Sequence, residues 1–480
     1  MSTDVTPRWG VFLCLVVLAA WGGSGCGGAG DTASTGSAVA ENARTGRGPS
    51  SKLILNRFGL SLTLMGNGEP LEQPDHPFFQ SLGSNGRSCS TCHEPEGGMT
   101  ITPERIQARF RRTQGTDPLF RLVDGASSPL ADVSTVEARR RAYSLLLERG
   151  LIRVGIGVPA GAEFELIAVD DPYRFASATE LSLFRRPLAS TNLRFLSTVM
   201  WDGRETTPDP TSPTGFASLH FDLSRQSNDA TIGHAQSPVG LSNEQRDAIV
   251  SFEMQMHTAQ IVDFRAGYLT TGGAQGGPAP LLTQEFYFGI NDPLGGDKTG
   301  RPFDPTVMTI FDAWTGTRGA RAAIARGQEL FNHKPISIVG VSGLNDDLGL
   351  AVIPGTCTTC HDTPNAGSHS VPAPLRIGTD DPAPVGGLRA AGLPVYTLRL
   401  KGSDEIKRTT DPGRALITGK WKDVGRFKGP TLRGLAARAP YFHNGSAGGL
   451  EDVIEFYDQR FQMGLSAQEK SDLLHFLAAL

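Results

Sequence analysis

Two five-residue strings hold most of the chemistry this sequence can do: Cys89-Ser90-Thr91-Cys92-His93 and Cys357-Thr358-Thr359-Cys360-His361. In each, two thiols stand one helical turn apart, where they can add to the two vinyl groups of one haem. The next residue then supplies an imidazole to the iron. A zinc ribbon or a thioredoxin-like site also uses Cys-x-x-Cys, but neither employs the histidine that follows, here twice over. The chain therefore reads as carrying two covalently attached haem c groups, bound through Cys89 and Cys92 and through Cys357 and Cys360. His93 and His361 are the iron ligands. The two remaining cysteines, Cys14 and Cys26, lie near the start of the chain, so no pair is left over for a structural disulfide.

The elements around the strings follow from local signals. Thr102-Pro103 opens a helix with Ile106 and Phe110 on one face. Val136 to Arg149 is helical and stops at Gly150. The runs Ile152 to Val158 and Phe164 to Val169, separated by Pro-Ala-Gly-Ala-Glu, read as a hairpin. Ser242-x-x-Gln245 is a capping box for a helix that buries Ile249, Phe252 and Met256. A helix around Arg321 to Phe331 precedes the second string. Ser466-x-x-Glu469 caps a last helix that buries Leu473, Leu474, Phe476, Leu477 and Leu480. A first helix, a haem string and a final helix make one cytochrome c module, and the chain supplies two sets. The expected fold is mainly α, with two cytochrome c-like haem domains at 51–265 and 316–480, a linker or insertion at 266–315, loop-rich insertions and one small β-hairpin.

Composition sets the outer bounds. Lys and Arg total 45 against 49 Asp and Glu, for a formal charge of -4, which excludes a strongly nucleic-acid-binding chain. With 39% hydrophobic residues it is not a wholly disordered chain, and 58 Gly and 32 Pro call for long loops. The apolar run Val11 to Trp21 is too short to span a membrane, and it follows Arg8, so residues 1–26 read as a secretion signal. Gly23-Ser24-Gly25-Cys26 resembles a lipoprotein cleavage site, and the small-residue stretch 27–50 reads as a tether. The expectation is a periplasmic protein whose contact with the membrane is a lipid on Cys26.

Further strings give a resemblance. Met200-Trp201-Asp202-Gly203-Arg204, Pro430-Thr431-Leu432-Arg433 and Ala439-Pro440-Tyr441-Phe442-His443-Asn444-Gly445 occur in that order with the two haem strings. The chain thus resembles the bacterial diheme cytochrome c peroxidases and the related MauG-type diheme enzymes, over most of residues 75–480. The resemblance implies that Trp201 lies between the haems and passes electrons; the alternative is a packed core aromatic. In the peroxidases a methionine follows the Pro-Tyr-Phe-His string by fourteen residues and in MauG-type enzymes a tyrosine does; here that position is Tyr457. Leu450, Val453, Ile454 and Tyr457 recur at helical spacing, so Tyr457 shares an apolar face. As an anionic, hard ligand it would give the second haem a low potential; Met463, off that face, is the alternative ligand. His443 is implied near the second haem, where it can bond a propionate. The family often binds calcium between the haems through backbone oxygens, including that of the proline matched by Pro440. Arg438 replaces the family's threonine beside it, which leaves calcium open.

The first haem, on His93, is then the peroxide site. The family's distal glutamine and glutamate have no clear match in Gln226 through Asp229-Ala-Thr-Ile-Gly-His234-Ala-Gln236. His234 is the candidate base for peroxide, with Gln236 or Glu253 as helper; the alternative is a surface or structurally bonded histidine. His76, His220, His257, His333, His369 and His475 read as structural or exposed. Together these readings give an exported peroxidase that reduces hydrogen peroxide at the first haem. A small redox protein supplies the electrons, which pass from the second haem through Trp201. The rival readings are a MauG-type oxidase of a protein or organic substrate, a diheme electron carrier without peroxide chemistry, and an oxygenase of the extracellular rubber-degrading kind. Homodimerisation stays open.

Overall fold

Capping side chains start the helices as their sequences require. In the computed structural model, which describes residues 48–480, Ser242 accepts from the backbone N–H of Gln245, whose side chain accepts from the N–H of Ser242. Ser466 and Glu469 repeat that exchange. The expected signal at 1–26 with Cys26, and the expected tether through residue 47, lie outside the described residues. The longer helices are α1 (Pro103–Thr113), α2 (Val136–Ala142), α3 (Ser144–Arg149), α4 (Leu219–Gly233), α5 (Asn243–Gln255), α6 (Gly319–His333), α7 (Leu450–Phe461) and α8 (Ala467–Ala478). None of the described helices is long and apolar enough to cross a membrane.

The expectation of a mainly α fold is overturned. Helix accounts for only 29% of residues and strand for 17%, in several small sheets, so the architecture is mixed α/β. The strands are β1 (Ser51–Asn56), β2 (Gly59–Met65), β3 (Ile152–Ile156), β4 (Phe164–Asp170), β5 (Leu181–Arg185), β6 (Met256–Asp263), β7 (Gly267–Tyr268), β8 (Ile336–Val339), β9 (Val352–Gly355), β10 (Val395–Leu400) and β11 (Ile406–Thr409). They form sheets ordered β1-β2-β6-β7, β11-β10-β4, β3-β5 and β8-β9.

The hairpin expected from Ile152 to Val169 does not form either. β3 runs antiparallel to β5, and β4 runs antiparallel to β10, far along the chain. The reason is burial: Phe164 of β4 packs with Tyr396, Leu398 and Trp421, while Leu181 and Leu183 of β5 fill the same core. A closed ribbon of β3 and β4 would leave those side chains without partners. The pairing carries β5 directly into Arg185, Arg186 and Pro187, which the sites below depend on.

The largest core joins α6 and α8 to residues 266–315. Phe311 stacks on Trp314 at 5.0 Å, and Phe331 meets Phe476 at 5.5 Å between ring centroids. Arg326 of α6 holds Asp472 of α8 through two bonds of 2.8 Å. At the crossing, Gly327 lies so close to α8 that a Cβ there would stand 2.0 Å from the Asp472 carbonyl oxygen. The same helix delivers Phe331 to 6.0 Å from the ring of His361. Gly327→Ala should therefore lower stability by about 1–3 kcal/mol, despite a gain of ~1 kcal/mol in helix propensity. Chemical denaturation checks this; a stabilised variant would show that the helices do not cross so closely.

Candidate haem sites

Both strings are built alike. Each opens a single 3-10 turn in which the first cysteine's carbonyl accepts from the second cysteine and from the histidine: Cys89 from Cys92 and His93, Cys357 from Cys360 and His361. A hydroxyl residue sits before each string, and the turn's own threonine bonds back to it: Ser88 N–H donates to Thr91 Oγ1 at 3.0 Å, Thr356 N–H to Thr359 Oγ1 at 3.0 Å. His93 Nδ1 lies 3.1 Å from the Met99 carbonyl and His361 Nδ1 lies 2.7 Å from that of Gly367. A carbonyl accepts only from an N–H, so Nδ1 carries the proton and Nε2 keeps its lone pair for a metal. Burial pushes His93 down to about 4 and lowers His361 as well, which keeps both imidazoles neutral. None of the four cysteines of the strings is tied up in a disulfide.

Each string opens onto its own cavity. The second, of about 260 Å³, is lined by Cys357, Cys360, His361, Tyr457, Met463 and His443. Tyr457 comes from the apolar face of α7 and stacks on Phe461 at 6.0 Å, and burial raises its pKa. Met463 follows that helix and reaches the same space. His443 stacks on Phe427 at 3.9 Å, and its buried Nε2 has no hydrogen-bond partner. Burial pushes His443 down to about 4. His369 also reaches this cavity, its Nδ1 3.1 Å from Asp362 Oδ1.

The first cavity, of about 200 Å³, is lined by Cys89, Cys92, His93, Gln226, His234 and Glu253. Gln226, Ala230 and His234 come one turn apart along α4 and its C-terminal residue, so one helix face supplies them. His234 Nδ1 is 2.6 Å from Asp124 Oδ2, and the other oxygen of Asp124 meets Arg87 at 2.5 Å. Glu253 is buried, and burial pushes its carboxyl up to about 7 against a lowering bond from Ser190. Gln236 is not a wall residue. A positive φ of 54° turns the chain away after His234, and its side-chain oxygen accepts from Asn85 instead.

The two cavities share a wall. Arg186 to Ala189, Trp201, Lys428, Pro430, Thr431 and Arg438 line both. Trp201 is pinned at each end: its indole N–H donates to the Arg186 carbonyl at 2.8 Å and its own carbonyl accepts from the N–H of Lys428 at 2.9 Å. The next residue, Asp202, is buried and pairs with Arg185 at 2.5 Å and Arg204 at 3.1 Å. Burial would raise the Asp202 carboxyl, but these guanidinium groups hold it down to about 2. Arg185 in turn bonds both oxygens of Asp411, at 2.7 and 2.9 Å.

The residues fit a haem c in each cavity: paired thiols, an imidazole with a free Nε2 and a largely apolar wall. The orphaned His443 Nε2 and the equally orphaned Thr431 Oγ1 leave polar partners for a group the protein does not itself supply. Among the described residues no three His, Cys, Asp or Glu side chains converge to hold a metal ion. The Arg438 guanidinium donates to the carbonyls of Gly434 and Arg433. Sequence reasoning had not assigned Asp124, Arg87, Arg185, Asp411 or Lys428 to a site. The hydroxyls flanking each string were a readable local signal; the others depend on partners distant in the chain.

Comparison with known proteins agrees with the motifs. No family profile matches the chain. It is 31% identical over 157 residues to cytochrome-c peroxidase IdrP1 of Pseudomonas sp. (strain SCT), covering 28% of this chain and 38% of that one. It is 30% identical over 141 residues to cytochrome-c peroxidase IdrP2 of Denitromonas iodatirespirans, covering 26% and 36%. These matches span less than two fifths of the curated relatives' length, at 38% and 36%. Among solved structures, a MauG-like protein associated with microbial copper homeostasis aligns with a TM-score of 0.35 at 17% identity, covering 84% of this chain and 86% of that one. The hydrazine synthase of Kuenenia stuttgartiensis gives 0.29 at 17% identity, covering 79% and 93%. Over the matched segments the chain is similar in sequence to cytochrome-c peroxidases.

The Asp124 contacts give a test at low pH. Burial would raise this carboxyl, but Arg87 and His234 outweigh that and hold it below the usual carboxylate range. Its contribution to stability is therefore present above the ordinary carboxyl pKa near 4 and lost as pH falls through the lower folded value. Asp124→Asn should be less stable at pH 7, by about 3–5 kcal/mol, since Arg87 is left buried without its partner. It should also lose less stability than the parent protein on acidification below about pH 4. Parallel stability curves for the two proteins across that range would show that the carboxylate is not held by Arg87 and His234.

Proposed function

We propose that this chain is an exported diheme oxidoreductase that reduces hydrogen peroxide at the first cavity with electrons relayed from the second. One observation carries the reading: the cavities of the two Cys-x-x-Cys-His strings share a wall in which Trp201 stands. An indole there shortens the path between them, and its N–H bond to a backbone carbonyl keeps it in one orientation. In this proposal residues 51–265 hold the first haem and 316–480 the second. The chain works in the periplasm, with Cys26 as the lipid-bearing anchor, and a small redox protein is the electron donor.

Bound covalently in such sites, haem c supplies an iron that exchanges electrons and can cleave the O–O bond of peroxide. The protein's part is ligation, orientation and proton transfer. His93 and His361 would hold the metal through Nε2, their ring planes fixed by the Nδ1–H bonds. His234, whose Nδ1 meets Asp124, would take a proton from peroxide at Nε2 and return it to the departing oxygen. Glu253, a buried carboxyl that titrates near neutrality, is the second proton-holding group on that cavity. Tyr457, on the wall of the second cavity, would hold the second iron through its phenolate oxygen, a hard anionic donor that favours oxidised states. That same tyrosine favours a second reading, a MauG-type oxidase that turns the oxidising power on a protein or organic side chain.

Steady-state peroxide consumption by the two-haem protein, with a pre-reduced small cytochrome c as donor, separates the readings. The peroxidase proposal expects sustained oxidation of the donor at a rate set by peroxide. Negligible turnover with a long-lived peroxide-oxidised spectrum would favour the MauG-type reading. An unchanged spectrum would overturn both and leave an electron carrier.

A further inference from the structure

The wall between the cavities carries more positive charge than the chain itself neutralises. Lys428, Arg186 and Arg438 each line both cavities. Lys428 is 7% exposed and Arg186 4%, while Arg438 is half-buried. Among the described residues none of the three forms an ion pair; Glu104 acts on Arg186 only through space. Their bonds go to backbone carbonyls: Lys428 Nζ to Thr198 at 3.0 Å, Arg186 Nη1 to Arg149 and Gly150 at 3.2 Å, Arg438 Nε to Gly434 at 3.0 Å. An ammonium has three N–H donors, and the Lys428 bond to Thr198 uses one. Thr431 Oγ1, on the same wall of both cavities, is buried without a partner.

Charge buried without a counter-charge is costly, and the same neighbourhood shows the usual remedy, since Arg185 is matched by Asp202 and Asp411. The cost at the shared wall is visible in Lys428, which burial pushes down to about 7, and in Arg186, which it pushes down to about 10. What is missing is anionic, planar and able to accept several hydrogen bonds on both sides of the strip. Each haem c carries carboxylates of that kind in its propionate groups. We propose that Lys428, Arg186, Arg438 and Thr431 form one carboxylate-binding wall that takes the propionates of both haems, one haem from each side. This rests on the diheme reading of the preceding section. It makes the four residues positioning residues, and it ties haem placement to Trp201. The Lys428 N–H holds the carbonyl of Trp201, and the Arg186 carbonyl holds its indole.

Resonance Raman spectroscopy of the purified two-haem protein tests this through the low-frequency propionate bands, which respond to hydrogen bonding at the carboxylates. Covalent haem per chain is counted on the same samples. Lys428→Met should shift the propionate bands of both haems, and Thr431→Val should shift them less. Lys422→Met, at an exposed lysine paired with Asp347, should leave them unchanged. The valine variant keeps the test open where the methionine variant does not fold. Unshifted bands in both wall variants, or a shift confined to one haem, would overturn the shared wall while leaving the diheme reading intact. A count below two haems in the parent protein would overturn the diheme reading and this inference with it.

Discussion

The rest of the site hangs on one buried ion cluster. Arg185 at the end of β5 pairs with Asp202, 17 residues on, and with both oxygens of Asp411, 226 residues on, and so joins three segments of the chain. Removing either carboxylate would leave the buried Arg185 guanidinium with one counter-charge in place of two, so the cluster resists loosening. Trp201 precedes Asp202, and Arg186 follows Arg185. Fixing the pair of charges therefore fixes the indole against the Arg186 carbonyl at 2.8 Å and the strip that both cavities share. The Arg185 guanidinium also lies 5.9 Å over Phe427, the ring on which His443 stacks. One electrostatic clamp thus orients the wall, the tryptophan and the histidine.

Around that clamp the fold divides into several modest apolar clusters rather than one large core. The helices that crowd Cys357 and His361 are held by α6 against α8, where a glycine lets the backbones touch. The helices beside His93 are held by α1 against α3 and by α4 against α5. The small sheets connect these groups, and the β4–β10 pairing draws the segment before the wall toward the segment that carries Asp411.

What was legible in the sequence was local. Cys-x-x-Cys-His turns, the Ser242 and Ser466 caps and the apolar face of α7 each depend on residues within a few positions of one another. The mixed α/β architecture was not legible, because its strands find partners far away. β2 is instructive: its alternation suggests leucines facing inward, yet the buried face carries Ser61 and Thr63. Their hydroxyls bond Gln260 at 2.5 Å and Thr258 at 2.8 Å, on a strand about two hundred residues on. His234 could be proposed from its chemistry, but Asp124, which orients it, stands 110 residues earlier. Gln236 lies off the cavity wall for the opposite reason: it is close to His234 in sequence, but the helix ends at His234 and the chain turns outward.

The central claim is that Trp201 connects the two cavities electronically. Its most direct test is rapid mixing of peroxide with protein whose second haem has been reduced beforehand, following oxidation of that haem in the parent protein and in Trp201→Phe. The account predicts prompt oxidation in the parent. In the variant, with both haems retained, oxidation should slow by at least about tenfold, a barrier increase of about 1.4 kcal/mol. Equal rates in the two proteins would contradict it and put the electron path elsewhere in the wall.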